Sequence, residues 1–227
     1  MTGGARLIDD VRAALQPHGL FLRGTVNFAA DEREPVLENG DPAAGLVLIG
    51  NTGGSLWAPF DRWRAGAGRT AHPLDDWSKA VIRPVAERFG ATVFFPSDPP
   101  YQPFQQWAMR AEGLKPSPLG ILIHPEYGLW HGYRAALAFG HALPPTGYPV
   151  VAHPCDQCRD RPCLSACPAD AVEPDRFDVP RCRSHLASPE GSKCMDAGCL
   201  ARNACPIGAS YRYPPGQLRF HMTALMG

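Results

Sequence analysis

Cys155-Asp156-Gln157-Cys158-Arg159-Asp160-Arg161-Pro162-Cys163-Leu164-Ser165-Ala166-Cys167-Pro168 is the stretch on which the reading of this chain turns. It spaces four thiols as Cys-x2-Cys-x4-Cys-x3-Cys-Pro. A lone Cys182 follows, and Cys194-x4-Cys199-x5-Cys205-Pro206 closes the pattern. All 8 cysteines of the 227-residue chain lie in this segment. A four-thiolate site needs short loops that supply sulfurs in pairs and sequence-distant residues that close the cage. Eight thiols divide into two such sites with none left over.

The rest of the composition narrows what those thiols do. No basic stretch followed by an apolar one opens the chain between Met1 and Asp10, and no apolar run approaches the length of a membrane span, so a cytoplasmic protein with no membrane partner is expected. Cytosolic thiols are kept reduced, which favours metal binding over disulfides for a clustered pattern. The formal net charge is +0 and the pI is about 7.1. Binding to a phosphate backbone through counterion release needs a basic field, so nucleic acid is not an expected partner. The 25 Pro and 23 Gly point to many turns and irregular stretches.

The first cysteine set resembles the Cys-x2-Cys-x2-Cys-x3-Cys-Pro run of bacterial two-cluster ferredoxins, in which the fourth cysteine ligates the other cluster. Ala169-Asp170-Ala171-Val172 is similar to the segment that follows such a run, and the second set ends in the same Cys-Pro. Swapping the last ligands as that family does implies one [4Fe-4S] cluster on Cys155, Cys158, Cys163 and Cys205. The other then falls to Cys167, Cys182, Cys194 and Cys199. The lone Cys182 after Arg181 resembles the ferredoxin half of epoxyqueuosine reductases and reductive dehalogenases. Two extra residues before Cys163 and the wider gaps of the second set depart from the usual spacing. Two four-cysteine zinc sites are the alternative.

Ahead of the cysteines the chain alternates helix and strand patterns. Leu7, Ile8, Val11 and Leu15 predict a helix over 5–16, and Leu20–Ala30 reads as a strand. The unbroken apolar run Gly45–Gly50 suits a strand buried on both faces. Ser55 is the expected N-cap of a helix through Trp57, Phe60 and Trp63, and a second helix is expected over Pro73–Phe89, kinked or divided at Pro84. Ala91–Phe95 reads as a strand and Phe104–Ala111 as a helix ended by Gly113. Leu119–His124 and Trp130–Ala138 look like strands about a Pro125–Gly128 turn, though Tyr133–Phe139 fits a helix equally by pattern. Leu143-Pro144-Pro145-Thr146-Gly147 is the expected linker.

Gly120-Ile121-Leu122-Ile123-His124-Pro125-Glu126-Tyr127-Gly128-Leu129-Trp130-His131-Gly132-Tyr133-Arg134 resembles a segment of the CblC-type cobalamin-processing proteins, in which Ile-His-Pro, an aromatic, a Gly, a Trp and an Arg follow in the same order. The resemblance extends more faintly over 45–60 and 94–111. It implies an α+β, nitroreductase-like cobalamin-binding domain over 1–145, followed by a bacterial-type two-[4Fe-4S] ferredoxin domain over 150–227. No Asp-x-His-x-x-Gly segment supplies a lower axial ligand, so cobalamin would be held base-off.

The resemblance places His124 and Tyr127 as proton-supplying residues, with His124, Gly128 and Trp130 beside the corrin. Gln102 and Gln105 are candidate hydrogen-bond donors to corrin amides, although a solvated helix face accounts for them as well. The loop Asn51-Thr52-Gly53-Gly54 could turn backbone N–H groups toward an anionic ligand or simply form a tight strand-to-helix turn. No Gly-x-Ser-x-Gly elbow is present. The function so implied is the reduction of a corrinoid, or removal of its upper axial ligand, with electrons from two clusters charged by a ferredoxin, flavodoxin or reductase. The rivals are an electron carrier whose first domain docks a partner, and an epoxyqueuosine-type reductase, which neutral charge and short length disfavour.

Overall fold

The computed structural model describes residues 3–29, 32, 34–146 and 152–226. They group into two compact units, 1–113 with 132–150 and 114–131 with 151–227.

In the first unit, helix α1 (Gly3–Leu15) buries Ile8, Val11 and Leu15, the stripe that its apolar spacing predicts. Strand β1 (Phe21–Asn27) runs antiparallel to β2 (Gly45–Thr52), pairing Thr25 with Val47 and Phe21 with Gly50 across an irregularity between Leu22 and Gly24. Every residue of β2 except Thr52 is buried, as an unbroken apolar run requires. Helices α2 (Trp57–Gly66) and α3 (Pro73–Arg88) follow, then β3 (Thr92–Phe94) and α4 (Phe104–Glu112), which ends at Gly113. The sheet has the order β1-β2-β6-β3, where β6 is His131–Phe139 and pairs antiparallel with β3. Helix α4 packs on β1, and α3 packs on α1, α2 and β3.

Three local expectations are corrected or resolved. Helix α3 is not divided at Pro84, because packing against three elements holds the helix through the missing hydrogen bond. Ser55 does not cap α2. Its hydroxyl instead donates to the Gly19 carbonyl at 2.7 Å, and Leu56 occupies the cap position with no side-chain bond. Tyr133–Phe139, open between strand and helix, is strand, because its Ala and Leu side chains fill the sheet between β2 and β3. Of the expected linker, Leu143 and Thr146 are tied to β1 by Asn27 and Thr25, and Gly147 lies outside the described residues.

The second unit begins with a small hairpin. Strand β4 (Lys115–Pro116) pairs antiparallel with β5 (Leu122–Ile123), a shorter strand than the expected Leu119–His124. Short helices then carry or border the cysteines: α5 (Pro154–Gln157), α6 (Pro162–Ser165), α7 (Val179–Leu186), α8 (Ser192–Ala197) and α9 (Leu200–Ala204), followed by α10 (Pro215–Met226). Pro stands at the start of α5, α6 and α7, where its fixed φ suits the first turn and its missing N–H is not needed. Asp178 caps α7 by accepting from the Arg181 N–H at 2.9 Å.

The departure from the expected domains is the segment 114–131. Leu119, Ile123 and Leu129 form one core with Cys167, Ala171, Val172 and Ala201, so 114–131 groups with the cysteine segment and not with its neighbours in sequence.

Candidate metal centre

The short helices set the positions of the thiols. Cys155 lies in α5 and Cys158 is its C-cap; Cys163 lies in α6; Cys199 and Cys205 bracket α9. Between Cys158 and Cys163, Arg161 adopts a left-handed φ of 38° at the start of α6, so the two extra residues there are spent on a tight turn. Cys182 lies in α7 and Cys194 in α8.

Two cavities separate these thiols into fours. The first, of 290 Å³, is lined by Cys155, Cys158, Cys163 and Cys205. The second, of 280 Å³, is lined by Cys167, Cys182, Cys194 and Cys199. Leu119 lines both, so a single side chain from the hairpin segment forms part of the wall between them. Each cavity is far larger than one ion requires and has room for a multi-atom cluster. Among the described residues, no three His, Cys, Asp or Glu side chains close on a single-ion site.

Electrostatics repeats the partition. Burial pushes the Cys155 thiol up to about 11, and its neighbours Cys205, Cys163 and Cys158 add to the rise. The Cys182 thiol is pushed up to about 11 by burial and then by Cys199, Cys167 and Cys194. Four thiols crowded in low dielectric resist ionising together, and a bound metal centre supplies the positive charge that reverses this. The surroundings of the two cavities differ. Asp156, Asp175 and Arg161 line the first, whereas Phe177, Leu186, Met222, Leu225, His185, His221 and Arg202 line the second. The Cys167 sulfur accepts from the Ala171 N–H at 3.3 Å.

The His-Pro segment is built into the same unit. His124 and Gly128 exchange backbone hydrogen bonds, each of 2.9 Å, around the expected turn. The His124 Nδ1 accepts from the N–H groups of Glu126 and Tyr127 at 3.0 and 3.2 Å, which leaves the proton of the neutral ring on Nε2. Its ring stacks on Tyr127 at 4.2 Å and meets His131 edge-on at 6.0 Å. Gly128 has φ +57°, and a Cβ there would stand 1.9 Å from the Ile207 carbonyl oxygen. Gly208, in turn, would place a Cβ 2.2 Å from the Tyr127 carbonyl carbon. The turn and the residues after Cys205-Pro206 are therefore in backbone contact, a fit that only glycine permits.

Trp130 is 0% exposed and packs edge-on against Tyr213 at 5.3 Å. His124 is 4% exposed. His124, Tyr127, Gly128 and Trp130 thus come together in the cysteine unit. Asn51, Thr52, Gly53, Gly54, Gln102 and Gln105 belong to the first. Asn51 is buried and donates through Nδ2 to the Gly53 carbonyl at 3.1 Å, holding the turn; Gln102 donates to the Pro100 carbonyl at 3.2 Å, and Gln105 is exposed.

Several notable residues gave no sequence signal. Arg23 and Glu112 form a buried two-pronged ion pair with bonds of 2.9 and 3.0 Å, and Glu112 also accepts from the Tyr133 hydroxyl. Arg202, beside the second cavity, donates to the Leu129 carbonyl. Glu126 accepts from the Tyr211 hydroxyl at 2.5 Å.

No protein-family model and no curated protein matches the chain by sequence. By structure it is a mixed α+β chain similar to two kinds of solved protein. One is epoxyqueuosine reductase: the Bacillus subtilis structure gives a TM-score of 0.52 at 15% identity, covering 93% of this chain and 67% of that one. The Streptococcus thermophilus structure gives 0.54 at 15%, covering 94% and 68%. The other is the Caenorhabditis elegans B12-trafficking protein CblC, a human MMACHC homologue, with a TM-score of 0.56 at 14% identity, covering 97% of this chain and 92% of that one. The chain spans about two thirds of the length of the epoxyqueuosine reductases. At such identities the likeness is one of fold. Among the described residues, no helix is long and apolar enough to cross a membrane.

Proposed function

We propose that this protein is a corrinoid-reducing oxidoreductase in which two [4Fe-4S] clusters, one on Cys155, Cys158, Cys163 and Cys205 and one on Cys167, Cys182, Cys194 and Cys199, deliver single electrons to cobalt. The observation that carries the reading is that the two cavities gather the cysteines in the same fours that the ferredoxin-like spacing implies. The donor set, eight thiols with no carboxylate or imidazole required, suits iron–sulfur chemistry, and the cavity volumes suit a cluster better than a lone zinc ion. When bound, the clusters supply one-electron chemistry. The chain's own residues hold them by thiolate bonds, separate them by Leu119, and shield them with apolar walls that hold down the local dielectric.

The corrinoid part rests on the His-Pro segment and on fold likeness to both CblC and epoxyqueuosine reductase. Cobalamin would be bound base-off and lose its upper axial ligand on reduction, with a ferredoxin, flavodoxin or reductase recharging the clusters. A cytoplasmic location is part of the same reading. Titrating anaerobically prepared protein with hydroxocobalamin tests it. A saturable change in the corrin spectrum, followed by reduction of cobalt when dithionite-reduced protein is mixed in, is expected. Reducible clusters with no corrin binding would overturn the corrinoid part.

A second reading, an electron carrier whose first unit docks a partner, is favoured by one observation. His124 and Trp130 are buried and engaged within the cysteine unit, where a packing role accounts for them. The same titration separates the two readings.

A further inference from the structure

Arg202 sits in α9, three residues beyond Cys199, and lines the cavity of the second thiol set. Its guanidinium carbon lies 4.4 Å from the ring centre of Trp130 and 4.7 Å from that of Tyr213, and its Nη2 donates to the Leu129 carbonyl. The group is therefore fixed in position by two aromatic faces and a backbone oxygen. Its Nε–H is buried with no hydrogen-bond partner, and no carboxylate among the described residues pairs with it.

The buried Nε–H belongs to a group that is always charged and has no partner of its own, so an anion close by would satisfy it. Four cysteinates around an iron–sulfur core make such an anion, net negative when oxidised and one charge more negative when reduced. The first cavity is lined by Asp156 and Asp175 together with Arg161 and His153, so carboxylates stand beside its cations, whereas none lines the second.

We propose that Arg202 is a positioning charge for the cluster held by Cys167, Cys182, Cys194 and Cys199, and that it raises the potential of that cluster and not of the other. The inference rests on the two-cluster reading above. On reduction one electron from the reductant enters the cluster core. No iron–cysteine bond is made or broken, and the guanidinium stays protonated throughout, so its favourable interaction grows by one unit of cluster charge.

The test is a redox titration of the full chain with dithionite, followed by electron paramagnetic resonance. Wild type and variants are titrated at one pH in the same buffer, so that His185 and His221, which line the same cavity, are common to all three. Wild-type protein is expected to show two midpoint potentials. In Arg202→Gln one falls and the other stays. In Arg202→Lys the same potential falls by less, because a lysine cannot hold the stacked, planar position and its charge retreats toward solvent. Should the glutamine variant lose the second cluster, the lysine variant decides. Unchanged potentials in a variant that keeps both clusters would overturn the role of Arg202 and leave the two-cluster reading intact. Wild-type protein without iron and sulfide would overturn both.

Discussion

The two units reach a fold by different means. In the first, a strand buried at all but one residue and helices of 9 to 16 residues surround an apolar core. In the second, the cysteines sit in helices of 4 to 8 residues or just outside their ends, and thiols form part of its interior. Helices so short are marginal alone and depend on what their side chains are fastened to. The difference teaches that the first unit can stand on hydrophobic burial, whereas the second, if its thiols hold the proposed clusters, borrows stability from them.

The largest effect should therefore come from the metal. Stripping iron anaerobically is expected to let the amides of α5, α6 and α9 exchange nearly as fast as an unfolded chain while β2 stays protected, as measured by hydrogen exchange. Equal protection in both states would break the contrast. Next, Glu112→Ala takes the carboxylate from the buried Arg23 guanidinium, which keeps its bond to the Asn51 carbonyl but loses its counter-charge, at a cost of about 3–5 kcal/mol. Its thermal transition should drop with no change in iron content, since both residues belong to the first unit. Gly128→Ala should act in reverse. The left-handed φ costs about 1–3 kcal/mol before the contact with the Ile207 carbonyl is counted, and iron should be lost from the first thiol set, because Ile207 directly follows Cys205-Pro206. At the small end, Arg12→Ala removes an exposed ion pair with Asp9 and should change stability by less than about 0.5 kcal/mol.

What the sequence made legible follows the same division. Strand β2 could be read because a run buried on both faces needs no periodicity, and α1 because Ile8, Val11 and Leu15 recur at helical spacing. The run Ala135–Phe139 is buried throughout, so it carries neither period, and only its pairing with β3 settles it as strand. The Arg23–Glu112 pair joins residues 89 apart, and no local pattern can announce it. The proposed thiol sets come from the resemblance to two-cluster ferredoxins, which exchange their last ligands, and the two cavities gather the same cysteines. The grouping of 114–131 with the cysteines was not legible, since Leu119, Ile123 and Leu129 find their core among residues far along the chain. Arg202 looked like any arginine on a short helix until Trp130 and Tyr213 were seen against it.

The central claim is that the eight cysteines form two independent four-thiolate cluster sites. Counting iron and acid-labile sulfide per chain in anaerobically prepared wild type, Cys158→Ser and Cys194→Ser tests it most directly. About eight of each are predicted for wild type, falling to about four in each variant, with a different electron paramagnetic resonance signal lost in each. Stoichiometric zinc in place of iron, or loss of the same signal in both variants, would contradict it.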